Sequence, residues 1–160
     1  MKLLAIKSNL KITLVISIFL VMSTIFAQQN ISNDGEMSVL ITHKDADLQW
    51  GPCPPFMPEG CSIAILHGDP SKRNLDIFFK VPANSDIPNH WHHSAERMIL
   101  ISGELHVTYE GENTQVMKAG SYAYGPPTKP HTAKCVNSGP CVLFIAFEEP
   151  LDAIPLVIKE

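Results

Sequence analysis

Residues 89–107 read NHWHHSAERMILISGELHV. The stretch passes from a polar cluster of three histidines, a glutamate and an arginine into the apolar alternation of a β-hairpin. In an extended chain, side chains two residues apart share a face. His90, His92, Glu96, Met98 and Leu100 share that parity, so one face starts polar and turns apolar. Two imidazoles and a carboxylate buried there without partners are costly. The cluster therefore either sits in water on a loop or converges on a partner, and a divalent metal ion is such a partner.

On either side of this stretch the sequence reads as short strands separated by turn residues. SVLITH (38–43), CSIAILHG (61–68) and LDIFFKVP (75–82) precede it, with the proline-rich loop WGPCPPFMPEG (50–60) between the first two. ANSDIPN (83–89) reads as a turn that delivers the chain to the histidines. RMILISG and ELHVTYEG form the hairpin, TQVMKAGSYAYG (114–125) continues the sheet, and HTAKCVN with CVLFIAFEEP forms a last hairpin. Outside the N-terminal segment no run of ten or more residues carries a helical period. Regular short strands with turn chemistry between them indicate an all-β sandwich or barrel.

The 160 residues suit one domain with its own core. Residues 1–27 have the layout of a secretory signal peptide: Lys2, Lys7 and Lys11, then the uncharged run ITLVISIFLVMSTIFA (12–27). An uncleaved N-terminal membrane anchor is the alternative, although a run of 16 is short for a span of about 20 residues. Residues 28–37 read as a polar, flexible leader and 38–160 as the domain. Taking those three lysines from the 12 basic residues leaves 9 against 16 acidic, a net charge of −7. An acidic surface without a basic stripe argues against a nucleic-acid partner. The reading is a protein exported to the periplasm or beyond the cell, with no stable membrane association after cleavage.

Four cysteines in an exported chain suggest disulfides, and the local pairing Cys53–Cys61 and Cys135–Cys141 is preferred. The second pair flanks NSGP, a turn signal. A zinc site from these cysteines is disfavoured because neither pair has C-x-x-C spacing, and free core thiols are the other reading. A further candidate ligand is His131, which follows the rigid GPPTKP loop and opens a strand whose alternate residues, Ala133 and Cys135, can face inward.

Taken together, His90-x-His92, three residues, Glu96, six residues, Gly103, and then Gly120, five residues, Pro126 and His131, resemble the two motifs of the cupins, small jelly-roll β-barrels. The resemblance spans residues 38–150. Asn84, Thr128 and Cys135 depart from it, standing where the family has two turn glycines and an asparagine. It implies a single jelly-roll barrel of the small, single-domain bacterial type and one divalent transition metal held by His90, His92, Glu96 and His131. Iron, manganese, nickel, copper and zinc all suit such a ligand set. It also implies a homodimer, to which the apolar tail from Ile154 to Ile158 could supply an edge.

Other residues are weaker candidates. His106, Tyr122 and Tyr124 are nominated for the pocket with Met98 and Leu100, whereas His93 and Arg97 have the opposite parity to the ligands. The functional expectation is a metal-dependent enzyme acting on a small organic molecule. Dioxygenase-like chemistry is what the resemblance brings to mind, with Glu96 able to leave the metal and act as base. The alternative is a non-catalytic module that binds or senses a metal or small ligand.

Overall fold

The computed structural model describes residues 37–136 and 139–156. The signal peptide and leader therefore lie outside the described residues, apart from Met37. All eleven strands fall in the unit that begins at Leu40. They are β1 (Gly51–Pro52), β2 (Ser62–His67), β3 (Leu75–Val81), β4 (Ser85–Trp91), β5 (Glu96–Ser102), β6 (Glu104–Tyr109), β7 (Gln115–Lys118), β8 (Tyr122–Gly125), β9 (His131–Cys135), β10 (Cys141–Phe147) and β11 (Ile154–Pro155). No helix occurs among the described residues, so none there is long and apolar enough to cross a membrane.

The strands form two antiparallel sheets, one in the order β1-β2-β3-β10-β5-β8 and the other β11-β4-β9-β6-β7. Such an arrangement is that of a jelly roll. Alternation explains the core. Leu105, Val107 and Tyr109 of β6 are buried, while His106 and Thr108 between them are partly exposed. From the facing sheet come Ile77, Met98, Leu100, Leu143, Ile145 and Phe147, all within 5% of full burial.

Three local readings change. Residues 38–43 form no strand. Instead the Asp45 carboxylate accepts from the Thr42 amide at 2.8 Å, and the Asp45 amide returns to the Thr42 carbonyl at 3.1 Å. This local side-chain turn competes successfully with a ladder. Residues 85–89, read as part of a turn, belong instead to β4, because pairing of that strand with β9 and β11 on both sides overrides the poor strand propensity of Ser, Asp, Pro and Asn. Residues 114–125 form two strands in different sheets, β7 and β8, with a turn between them.

Both expected disulfides are present, Cys53–Cys61 and Cys135–Cys141, and no cysteine among the described residues is free. The first closes the proline-rich loop, and the second joins the ends of β9 and β10. Asn84 and Thr128, the two residues standing where the cupin motifs place glycines, have φ of 59° and 60°. The backbone there keeps the left-handed turn that glycine usually supplies, at the cost of strain in the β-branched Thr128.

Candidate metal centre

His90, His92, Glu96 and His131 converge at one end of the space between the sheets, none more than 7% exposed. They do not lie along one strand. His90 is the penultimate residue of β4, His92 follows that strand, Glu96 opens β5 in the other sheet, and His131 opens β9. A β-bulge brings His90 inward. Ile87 pairs with Ala133 and His90 with His131, so three steps on β4 match two on β9. Ile87 and His90 thereby face the same interior despite opposite parity. Pro88, which has no amide to give the ladder, sits in the bulge.

Each histidine is oriented by a backbone carbonyl. Nδ1 of His90 contacts the Pro88 carbonyl at 2.8 Å, Nδ1 of His131 contacts that of Lys129 at 3.2 Å, and Nδ1 of His92 contacts that of Asp152. A carbonyl only accepts, so each Nδ1 carries a proton, and the Nε2 of a neutral ring so held is left with its lone pair. The carbonyl of His92 itself accepts from the Thr128 amide at 2.7 Å, tying the two motifs together. One nitrogen from each of the three histidines lies within 4.8 Å of the others. Glu96 reaches toward two of them, with Oε1 3.5 Å from His92 Nε2 and Oε2 3.6 Å from His131 Nε2.

Burial sets the charge states. It drives the His90 imidazole down to about 4, helped by the neighbouring His92, and that of His131 down to about 3, helped by His90. The hydrogen bonds to Pro88 and Lys129 oppose these shifts only in part. Burial raises the Glu96 carboxyl above the usual carboxylate range, against the pull of His92. Neutral imidazoles with free Nε2 lone pairs are metal ligands rather than cations. His92 Nε2 is buried without any hydrogen-bond partner, an orphan that a metal ion would satisfy. The donor set of three imidazoles and one carboxylate fits a divalent transition metal.

A fifth residue belongs to this end of the cavity and was not evident from the sequence. Tyr109 pairs with His131 across β6 and β9, and their rings lie 4.8 Å apart. Its hydroxyl is buried and has no hydrogen-bond partner. Burial and the nearby Glu96 push its pKa well above that of an ordinary phenol. Gly125 makes room for it, because a Cβ there would overlap the Tyr109 hydroxyl and lie 3.1 Å from Glu96 Oε2. The signal available in the sequence was the alternation of ELHVTY, in which Tyr109 shares the buried parity of Leu105 and Val107.

The cluster closes one end of a cavity of about 410 Å³ between the sheets. Met98 lines it, whereas the fully buried Leu100 packs in the core without lining it. His106 lies on the outer face and pairs with Glu104 at 2.8 Å, because its parity is opposite to that of the lining residues. Tyr122 and Tyr124 point outward from β8, being 62% and 52% exposed; the inward residue of that strand is Ala123. Arg97 meets Glu148 on the outside. Trp91 packs against His93, which is exposed and held by the Asp152 carboxylate.

Residues 77–147 match the family described as "Cupin domain". No curated protein matches the sequence. Among solved structures, the polyketide cyclase RemF from Streptomyces resistomycificus superposes with a TM-score of 0.63 at 16% identity, over 78% of this chain and 89% of that one. The DMSP lyase DddQ from Ruegeria pomeroyi DSS-3 gives 0.58 at 19% identity, over 68% of this chain and 60% of the lyase. A deletion mutant of the Bacillus subtilis oxalate decarboxylase OxdC gives 0.56 at 18%, over 69% of this chain and 30% of that one. The chain thus spans three fifths of the lyase and under a third of the decarboxylase, and at these identities the likeness is one of fold. Two antiparallel sheets in jelly-roll order, the family match and these structural neighbours together identify residues 77–147 as a cupin domain within a cupin fold.

Proposed function

We propose that this cupin is a metal-dependent enzyme acting on a small organic molecule, with His90, His92, Glu96 and His131 as metal ligands. The observation that carries the reading is the set of inward Nε2 atoms, each fixed by an Nδ1 contact to a carbonyl, with that of His92 left unpartnered. A bound divalent metal would supply Lewis acidity or, if redox-active, the dioxygen chemistry of a dioxygenase-like enzyme. The rest is the work of the chain. The three carbonyl contacts hold the imidazoles in the ligating tautomer before any ligand arrives. Glu96, reaching toward two of these imidazoles and carrying a raised pKa, can take a proton from a bound molecule and return it. Tyr109 keeps its proton in its buried place beside Glu96.

The structural neighbours carry lyase, cyclase and decarboxylase names, so the reaction class is not transferable from the fold. Tyr109 favours catalysis over simple metal storage, since storage has no use for a buried, unpaired hydroxyl beside the ligands. Export to an oxidising compartment accords with the two disulfides. A homodimer through the outer face of the larger sheet accords with its exposed Ile99, Tyr122 and Tyr124. Up to Pro155 the tail pairs with β4 of its own chain and forms the edge strand of the smaller sheet.

The test is metal content by mass spectrometry after purification without chelator or affinity-tag metal, compared with a His92→Ala/His131→Ala variant. About one metal per chain, lost in the variant, is the expected result. A load that the variant leaves unchanged, or no uptake of iron, manganese, nickel, copper or zinc, overturns the proposal.

A further inference from the structure

The polar groups of the cavity are confined to one end. His90, His92, Glu96, Tyr109 and His131 gather there, with Asp152, whose carbonyl is engaged by His92 and whose carboxylate is engaged by His93. The remaining wall is hydrocarbon and thioether, with Ile63, Phe79 and Ile145 from one sheet, Ile87 and Val107 from the other, and Met57 from the disulfide-closed loop. No lysine or arginine among the described residues lines the cavity. Arg73, Arg97, Lys129 and Lys134 pair with surface carboxylates instead, and Lys80 lies over the Trp50 ring. At about 410 Å³ the space is near the lower end of the range for organic ligands, about 300–1,000 Å³.

We infer that this cavity takes a compact, uncharged, mainly apolar molecule with a single oxygen-bearing end directed at the cluster of His90, His92, Glu96 and His131. The inference rests on the proposed function only in expecting the ligand to be a substrate; the lining itself selects the class. With no metal bound, a carboxylate or phosphate carried into this space would lose its hydration, find no cationic side chain among the described residues, and meet Glu96 at the polar end. A second charged group at the far end would meet only apolar wall. A neutral ketone, enol or phenol loses little on transfer and fills the apolar part.

The experiment is isothermal titration of the full protein, metal-free and zinc-loaded, with neutral ketones (4-phenylbutan-2-one and 2-octanone), 3-phenylpropanoate, propylbenzene and succinate. The ketones should bind metal-free protein about tenfold or more tightly than 3-phenylpropanoate, and succinate should show no saturable binding in that form. Propylbenzene, which lacks the oxygen, should bind it about three- to tenfold more weakly than the ketones. A metal-free protein that binds neither ketone, that prefers the carboxylates, or that binds propylbenzene as tightly as the ketones overturns the inference. Metal content of the same samples separates the two proposals. Ketone binding without metal uptake refutes only the metal reading, and metal uptake with carboxylate preference refutes only this one.

Discussion

Gly125→Ala tests whether the packing of Tyr109 against Glu96 is as the structure describes. Gly125 lies opposite Glu96 on β8, and its backbone needs no glycine conformation, so the consequences of a methyl group there are purely steric. The new Cβ would overlap the Tyr109 hydroxyl, lie 3.3 Å from the ring carbon bearing it, and lie 3.1 Å from Glu96 Oε2. Overpacking of this kind costs about 1–3 kcal/mol. The smaller entropy of an unfolded alanine chain returns about 0.4–1 kcal/mol. The net cost is about 1–2 kcal/mol, which for a domain of this size lowers the thermal midpoint by about 4–8 °C. Tyr109→Phe removes the overlapping oxygen and leaves only the 3.3 Å contact, which a shift of a few tenths of an ångström relieves. Alone it should be close to neutral, because the hydroxyl has no partner to lose. The double variant should therefore regain at least half of the loss, a coupling of roughly 1 kcal/mol in a double-mutant cycle of chemical denaturation. If Gly125→Ala is neutral, or the double variant is as unstable as Gly125→Ala alone, the hydroxyl is not where the structure puts it.

The remaining predictions concern pH, a buried hydroxyl and a disulfide. In metal-free protein His90 and His131 stay neutral down to about pH 4 and 3, whereas the unfolded chain takes up those protons near 6.5. Stability therefore falls as pH falls below 6.5, because the unfolded state binds more protons; Glu96, with its raised carboxyl, has the opposite sign and opposes the two imidazoles. The thermal midpoint should drop between pH 6 and pH 5, and His131→Gln should reduce the drop; a rising midpoint would contradict the burial of neutral imidazoles. Ser94→Ala should cost about 1–2 kcal/mol in urea unfolding at unchanged m, since its hydroxyl accepts from the Glu148 and Glu149 amides at 2.8 and 3.1 Å; an unshifted midpoint would mean that water replaces it fully. Cys53→Ser/Cys61→Ser should cost about 2–3 kcal/mol from loop closure over a separation of 8 residues. It should also weaken metal binding measured by competition with a chelating dye, because the loop lays Phe56 on His90 at 5.9 Å; unchanged affinity would separate the loop from the site.

The convergence of His90, His92, Glu96 and His131 was legible because local spacing survives folding. These four side chains lie within short segments whose turns fix where they point. The reason first given for their alignment, a single strand face, does not hold, since a bulge and a change of sheet intervene between Ile87 and Glu96. Bulges arise from cross-strand register, which no single segment encodes. The same lack misdirected the pocket assignment. His106, Tyr122 and Tyr124 were chosen for chemical type, but only pairing tells which parity of β6 and β8 faces inward. Tyr109 became visible once His131 was known to lie opposite it. The β4 segment was missed because its residues favour turns when taken alone, and only its two neighbours make it a strand.

The anchoring of His92 has a consequence for how the molecule reaches its native state. Its ring is held by the carbonyl of Asp152, 60 residues along the chain, and its carbonyl by Thr128 from the other motif. His90 packs beneath Phe56 from the opposite direction in sequence. Contacts of such separation form slowly, after the entropy of closing long loops has been met. The cage is therefore among the last features to assemble. An ion that recognises only the finished cage cannot guide folding; it acts by mass action on completed molecules and slows their loss to the unfolded pool.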